Sequence, residues 1–218
     1  MTLPIEKKLL APMQIDRARL QDIAVEALYS VVTSTVLHGG TAIWRCYSGN
    51  RFSDDLDIYL TSNAAIDKVR AGLAWPLRKY GAVIKKASAI GSYTIMEIST
   101  GNATLKLEMC KSKNKIRPVE RNYERTDGTF LGILTLSPED LIYEKIATYE
   151  NRRYVRDMYD IYHLSGVVEP DGRLRKSVCK FLDNIERPVD ERVLKAIVYS
   201  GTVPSFQGMV EYVKRRFC

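Results

Sequence analysis

The chain has 218 residues, 45% of them hydrophobic and 27% charged, a balance typical of one or two globular domains rather than of a disordered protein. Its formal net charge of +7 favours a phosphate-bearing partner, although many basic proteins never bind nucleic acid. No apolar run approaches the roughly 18 residues of a membrane span, and charges interrupt the apolar run at the N-terminus. We therefore predict a cytoplasmic protein with no membrane partner.

Hydrophobic periodicity in the first half predicts helices alternating with strands. Glycine-containing turn signals separate three consecutive strands, which predicts a meander. The predicted elements are, in chain order, a helix over 15–36, a short strand at 36–38, a helix over 41–47, a strand over 55–61, a helix over 63–80, strands over 82–90, 92–99 and 103–110, a charged loop over 111–128 and a strand over 129–136.

Helical patterns dominate the second half. Ser137 and Pro138 are residues typical of the N-cap and first position of a helix, and Asp140 faces the helix dipole. The predicted helices cover 138–151, 154–165, 173–184, 189–200 and 205–216. The chain therefore divides into an α+β part, residues 1–136, and a helical part, residues 137–218.

The four cysteines, at positions 46, 110, 179 and 218, are far apart and form no C-x-x-C pair. Only two histidines accompany them, so a zinc site is not indicated. A disulfide framework is not indicated either. We predict free thiols in a reducing compartment.

Two carboxylates, Asp55 and Asp57, are the leading candidates for chemistry. Side chains alternate between the faces of a strand, so these two share one face while Leu56 and Ile58 point into the core. Two carboxylates on a rigid element offer the oxygen ligands that Mg²⁺ prefers, with positions left for substrate phosphates. A solvated edge strand explains the same pattern equally well when the segment is taken alone.

The pair Gly39-Gly40 precedes this strand at a predicted strand-to-helix junction, where backbone N–H groups and the helix dipole can bind a phosphate. An ordinary turn is the simpler explanation for an isolated Gly-Gly pair, and the nearby acidic strand favours the phosphate site. Arg51 and Ser53 precede the carboxylates and are candidates for contact with a triphosphate. Exposed loop arginines, however, are often only solvated.

Residues 38–43 and 51–58 resemble the signature of the AbiEii/AbiGii branch of the polymerase-β-like nucleotidyltransferases, which includes the MenT toxins. The shared pattern is a Gly-Gly or Gly-Ser pair, a spacer and an acidic-apolar-acidic triplet, and the spacer here is slightly longer than usual. With later matches the resemblance covers residues 37–165. It implies the polymerase-β-like α+β fold, a mixed sheet flanked by helices with a helical C-terminal region that completes the active site. It also implies Mg²⁺ or Mn²⁺ as cofactor and an NTP as substrate.

The same resemblance implies roles for individual residues. Asp55 and Asp57 would bind the metal together with Glu108, and Asp160 would be a general base or an orienting carboxylate. The implied contacts with the NTP come from Gly39, Gly40, Thr41, Arg51, Ser53 and Lys145.

Each of the later assignments has a simpler alternative. A cross-strand salt bridge accounts for Glu108, and snorkelling of a long side chain accounts for Lys145. Residues 153–160 can be explained as a solvated helix face with ion pairs between residues four apart, Arg153 with Asp157 and Arg156 with Asp160.

The implied activity is transfer of a nucleotide from an NTP to an acceptor hydroxyl, with tRNA as the leading acceptor, in a toxin that has a cognate antitoxin. The basic residues that agree with an RNA acceptor are Lys111, Lys113, Lys115, Arg117, Arg173, Arg175, Lys176 and Lys180. Two alternatives stay open. One is a nucleotidyltransferase that modifies a small molecule or a protein, and the other is a catalytically inert relative that binds RNA or a protein.

Overall fold

A computed structural model of the chain describes residues 3–60, 66–90, 93–111 and 116–218. The strands are β1 (Thr35–His38), β2 (Leu56–Leu60), β3 (Val83–Ile90), β4 (Tyr93–Ser99), β5 (Thr104–Lys111), β6 (Val119–Glu124) and β7 (Phe130–Thr135). The α-helices of the described residues are α1 (Ile5–Lys8), α2 (Pro12–Val31), α3 (Gly39–Cys46), α4 (Ile66–Lys79), α5 (Pro138–Arg152), α6 (Val155–Ser165), α7 (Gly172–Asp183), α8 (Leu194–Ile197) and α9 (Phe206–Phe217).

The strands form one mixed sheet in the order β3-β4-β5-β2-β1-β7-β6. Strand β2 runs parallel to β5, and β1 runs parallel to β7. The other neighbouring pairs are antiparallel. This order places the acidic strand β2 at the centre of the sheet, between β5 and β1. The predicted α+β fold with a mixed sheet is confirmed, and so is the meander of β3, β4 and β5.

Side chains of the central strand alternate as the sequence predicts. Leu56, Ile58 and Leu60 of β2 are buried, whereas Asp57 and Tyr59 are half-buried. Helix α2 contacts β5 and α4, and α4 contacts β3, so helices cover one face of this half of the sheet. The polar side chains of β2 therefore lie on the other face. Within the described residues, no helix combines the length and the apolar character needed to cross a membrane.

The chain divides into two compact units. The first unit contains residues 1–46 and 53–136 and includes the whole sheet. The second unit contains residues 137–218 together with the short segment 47–52, which lies between α3 and β2 in the sequence. Both ends of this segment connect to the first unit, so the chain passes between the units three times.

Helices α5, α6, α7 and α9 make the core of the second unit, and an N-cap defines the start of α5. Ser137 accepts a hydrogen bond from the backbone N–H of Asp140 over 3.1 Å, as the sequence predicts. Segment 47–52 joins this unit through backbone hydrogen bonds. Its Phe52 donates to the oxygen of Ile197 over 2.8 Å, and Arg51 forms an antiparallel bridge with Val198.

Three predictions about the elements need correction. The segment predicted as a loop over 111–128 contains strand β6, and the helix predicted over 189–200 is a 3₁₀ turn, Glu191–Val193, followed by the single turn of α8. Helix α3 begins at the Gly-Gly pair itself rather than after it. The basic positions Lys113 and Lys115 lie outside the described residues.

The prediction of four free thiols is wrong for two of them. Cys179 of α7 and Cys218, which follows α9, form a disulfide within the second unit. Cys46 and Cys110 are free, and burial raises the pKa of the Cys46 thiol to about 12. The pair was not predicted because 39 residues separate its members and only the packing of α7 on α9 brings them together.

Candidate active site

The two predicted carboxylates, Asp55 and Asp57, share one face at the start of β2. Both are half-buried, while Leu56 between them is buried on the opposite face. The hydroxyl of Thr41 in α3 donates to the backbone oxygen of Asp55 over 2.6 Å. The side chain of Gln21 donates to the backbone oxygen of Ser53 over 2.8 Å. These contacts fix the chain where it enters β2, so the positions of the carboxylates are set by α2 and α3.

Gly39, the first residue of α3, lies directly against Asp57. Its φ is +71°, which favours glycine, and a Cβ at this position would lie 2.3 Å from Oδ2 of Asp57. The preceding residue, His38, is the register partner of Asp57 across β1 and β2. The backbone N–H groups in the first turn of a helix have no partner within that helix. A helix start able to bind an anion therefore lies next to the carboxylate pair.

Gly39→Ala should lower nucleotide transfer by up to about 100-fold, because the new methyl group displaces Asp57 and a shift of about 1 Å at a reacting group has this cost. Gly81→Ala is the matched control. Gly81 has the same φ of +71° but nothing within 4 Å of its Cβ position. Both variants should lose about 1–2 kcal/mol of unfolding free energy through backbone strain, measured by urea denaturation. Equal transfer rates for the two variants would contradict the packing of Gly39 against Asp57.

Glu108 of β5 is the register partner of Asp57 in the parallel pair of β2 and β5. Its carboxylate forms an ion pair with Lys106 on the same face. The hydrogen bond that Lys106 donates to Glu108 raises the pKa of Lys106, and the negative charges of Asp55 and Asp57 raise it further. The predicted third carboxylate is thus next to the pair along the sheet but bound to a lysine.

The donor atoms of Asp55, Asp57 and Glu108 decide whether these residues fit a metal ion. Among the described residues, no three carboxylate, imidazole or thiol groups are arranged to hold a metal ion. Asp55 and Asp57 nevertheless offer oxygen donors on one face of a strand. Mg²⁺ is commonly bound by one or two carboxylates, with water and substrate phosphates as its other ligands. The pair fits that pattern, and Glu108 as a third ligand stays a prediction.

An aromatic stack next to the carboxylates was not predicted. The rings of His38 and Tyr59 are parallel, with 3.7 Å between their centroids. Tyr59 follows Asp57 by two residues, so the alternation of β2 puts both on the same face. The alternation of β2 could have predicted the face on which Tyr59 lies. Its stacking on His38 could not be predicted, because it depends on the register of β1 and β2.

The other predicted site residues, Arg51, Lys145 and Asp160, form a buried ion-paired cluster in the second unit. The Arg51 guanidinium donates to both oxygens of Asp160, over 2.6 and 2.5 Å. The Lys145 ammonium lies 2.9 Å from Asp160 and 3.4 Å from Asp157. Arg152 completes the cluster with two hydrogen bonds to Asp157, of 2.8 and 2.9 Å. Segment 47–52 and helices α5 and α6 are thereby joined through charged groups.

The contacts of this cluster differ from the simpler explanations given above for Lys145 and for residues 153–160. Lys145 is only 5% exposed, so its ammonium does not snorkel to solvent. Burial alone would raise the pKa of Asp160, but the charges of Arg51 and Lys145 outweigh it and lower that pKa below its ordinary value. The predicted pairing of Arg153 with Asp157 is wrong, since Arg153 pairs with Glu186.

The prediction that Arg156 pairs with Asp160 is wrong too. Its guanidinium lies over the ring of Tyr154, 5.4 Å from the centroid. Periodicity predicted partners along one helix, whereas the actual partners of Asp160 come from α5 and from segment 47–52.

Solved structures show the fold that this geometry suggests. JHP933 from Helicobacter pylori is 18% identical with a TM-score of 0.64, over 95% of this chain and 91% of that chain. The nucleotidyltransferase toxin MenT4 from Mycobacterium tuberculosis is 18% identical with a TM-score of 0.63, over 94% of this chain and 83% of that one. The antibiotic-resistance factor ANT(2'')-Ia is 13% identical with a TM-score of 0.50, over 77% of this chain and 94% of that one. At these identities the likeness concerns the fold.

Sequence comparison gives the family. No curated protein matches the chain. The family model described as nucleotidyl transferase AbiEii toxin, type IV TA system, matches residues 28–196 and so includes the Gly-Gly pair, both carboxylates of β2 and the buried ion-paired cluster. The match covers well over half of the sequence, and the chain therefore belongs to the AbiEii family of nucleotidyl transferase toxins.

Proposed function

We propose that this nucleotidyltransferase transfers a nucleotide from an NTP to a hydroxyl group of an RNA, with tRNA as the leading candidate, and that a divalent cation, Mg²⁺ or Mn²⁺, assists. The observation that carries the proposal is the contact between Gly39 and Asp57, where a helix start suited to phosphate adjoins a carboxylate pair suited to a cation. A triphosphate and its metal ion need these two features side by side.

In the proposed reaction, the acceptor oxygen attacks the α-phosphorus of the NTP. A bond forms between them, the bond from the α-phosphorus to the bridging oxygen breaks, pyrophosphate leaves and the hydroxyl proton passes to solvent. The cation held by Asp55 and Asp57 would neutralise phosphate charge and acidify the hydroxyl. The backbone of Gly39 and Gly40 would hold the pyrophosphate end, and Thr41 keeps Asp55 in place through its backbone.

Arg51, Lys145 and Asp160 have a supporting part in this proposal. Both oxygens of Asp160 accept hydrogen bonds from Arg51, and its lowered pKa makes it a weak proton acceptor. An orienting carboxylate agrees with this better than a general base. Direct contact of Lys145 with the NTP stays a prediction, as do contacts from Arg51 and Ser53.

The basic balance of the chain supports an RNA acceptor. The described residues among the cations predicted to contact RNA are all exposed: Lys111, Arg117, Arg173, Arg175, Lys176 and Lys180. The family description names a toxin-antitoxin system, and we propose a cognate antitoxin as a further partner. That partner would suppress growth arrest caused by the modified RNA.

The test incubates the protein and Mg²⁺ with each of four α-labelled NTPs in turn, and offers total tRNA, total protein or no acceptor in parallel. In the reactions with tRNA, an accepted NTP should label the tRNA. EDTA should stop the labelling, and added Mg²⁺ or Mn²⁺ should restore it. Label in protein alone would favour a protein-modifying enzyme, and the absence of any label in the presence of metal would favour an inert binding protein. Labelling that persists unchanged in EDTA would contradict the metal assignment.

A further inference from the structure

The face of the sheet opposite helices α2 and α4 carries a row of charged side chains that leads away from the carboxylate pair. Lys86 of β3 lies opposite Glu97 of β4, and Glu97 lies opposite Lys106 of β5. Leu56 pairs with Leu107, so the residue before it, Asp55, comes next to Lys106 at the end of the row. The row thus runs across three strands and ends at a predicted metal ligand.

A cavity of about 350 Å³ lies over this row. Its lining residues are Arg17, Asp54, Asp55, Lys86, Ser88, Ile95, Glu97, Thr104 and Lys106. The half-buried Ile95 gives the cavity an apolar floor, and the hydroxyl groups of Ser88 and Thr104 can form hydrogen bonds. The volume accommodates a nucleotide-sized group, since small-molecule sites begin at about 300 Å³.

Two further cavities of the first unit share lining residues with this one. A cavity of about 390 Å³ lies between α4 and the edge strand β3 and shares Lys86 with the first cavity. A cavity of about 300 Å³ beside the turn between β4 and β5 shares Arg17 and Thr104 with it. Lys85 lines both of the outer cavities. We call the region formed by these three cavities, which share lining residues, the β3 groove.

Cations and one aromatic ring mark the outer part of the β3 groove. Lys85 and Lys86 are exposed, and Arg70 of α4 lines the same cavity. Trp75 is 76% exposed and follows Ala71, a lining residue, by one helical turn. Lysines that neutralise phosphates, together with an exposed aromatic ring on which bases stack, are typical of sites that bind single-stranded nucleic acid.

The topology indicates which reactant occupies this side of the carboxylates. In phosphoryl transfer the attacking and leaving oxygens lie roughly in line, on opposite sides of the phosphorus. Gly39 follows β1, on one side of β2, whereas the β3 groove begins at β5, on the other side. If the pyrophosphate end lies at Gly39, the acceptor hydroxyl must approach from the side of β5.

We propose that the β3 groove binds the single-stranded end of the nucleic-acid acceptor and leads its terminal hydroxyl to Asp55. This inference rests on the proposed nucleotide transfer and adds the path of the acceptor. Lys85 and Lys86 bind phosphates of the strand, and the cavity over Ile95 receives its terminal nucleotide. Trp75 stacks with a base farther from the reacting end.

The test compares two double charge reversals of equal size. Lys85→Glu with Lys86→Glu changes the β3 groove, and Arg192→Glu with Lys195→Glu changes exposed cations of the second unit. The groove variant should raise the KM for tRNA at least 10-fold and leave the KM for NTP unaltered. Removing two phosphate contacts should also lower the slope of log affinity against log salt by about 1.4, or about 0.7 for each contact with a single strand. The control variant should match the wild type.

Binding without turnover gives a second measurement. Trp44 is 1% exposed, so acrylamide quenching of tryptophan fluorescence reports mainly on Trp75. A single-stranded RNA oligonucleotide should protect Trp75 from acrylamide in the wild type and not in the groove variant.

An unchanged KM for tRNA in the groove variant overturns the inference, and equal losses in both variants do the same by assigning the effect to net charge. If the wild type transfers to no RNA at all, the proposed function fails. The oligonucleotide measurement then still decides whether the groove binds a strand. Absence of protection would leave an acidic protein segment as the better occupant.

Discussion

Asp55→Asn or Asp57→Asn should reduce nucleotide transfer by more than about 100-fold, since even changes outside the ligand shell of a metal site cost about 10- to 100-fold. The two carboxylates share one face of β2, and each would supply charge that an amide lacks. Substitution also removes one of two like charges from a small area, which relieves repulsion in the metal-free protein. Each carboxylate is also attracted to Lys106, so the two effects oppose each other and the unfolding free energy should change little.

Two measurements separate a lost ligand from a lost fold. Nucleotide transfer in the labelling experiment gives the activity, and urea denaturation gives the unfolding free energy. Asp183→Asn, an exposed change at the end of α7 and outside the cavity over Asp55, is the control. Turnover at the wild-type rate by Asp55→Asn or Asp57→Asn would disprove the metal assignment.

Asp160→Asn should lower the unfolding free energy by about 3–5 kcal/mol, the usual cost of breaking a buried ion pair from one side. Asp160 is 1% exposed, and both Arg51 and Lys145 depend on its negative charge. The amide leaves these two cations buried with one counter-charge fewer. Because domains of this kind are stable by about 5–15 kcal/mol in total, the loss is a large fraction.

The pH dependence has a definite sign. Asp160 has a lowered pKa in the folded protein, so its contribution is fully present above the unfolded value of about 3.9 and is lost as pH falls through the folded value. The wild type should lose this stability below about pH 4, and Asp160→Asn should show a shallower acid transition.

Asp183→Asn, an exposed change at the end of α7, is the control and should alter the unfolding free energy by less than about 0.5 kcal/mol. Full stability of Asp160→Asn, together with lost transfer, would instead show a direct catalytic role for this carboxylate.

Local patterns predicted those features whose causes are local. The alternation of Asp55, Leu56 and Asp57 gave strand β2 and its two faces, and Ser137 with Pro138 gave the start of α5. Strand β6 was missed because only Tyr123 of its residues is buried, so it lacks an apolar alternation, and it forms a strand by pairing with β7 at an edge of the sheet.

Features of the candidate site that depend on packing were not predictable in the same way. The partners of Asp160 lie on α5 and on segment 47–52, the latter 109 residues away along the chain. Helical periodicity gives the face on which Asp160 lies but not which residues of other elements meet that face. The Cys179–Cys218 disulfide and the stack of His38 on Tyr59 were missed for the same reason.

The passage of segment 47–52 through the second unit has a consequence for how the gene can be divided. A fragment ending at residue 136 would retain Arg51 but lack Asp160, its bidentate partner, and would also lack the backbone oxygen of Ile197 that Phe52 binds. The complementary fragment would keep Asp160 with Lys145 but without Arg51. Each half would lack a buried partner that the intact chain supplies, so shuffling of the two halves between homologues should succeed only when residues 47–52 are exchanged together with the helical half.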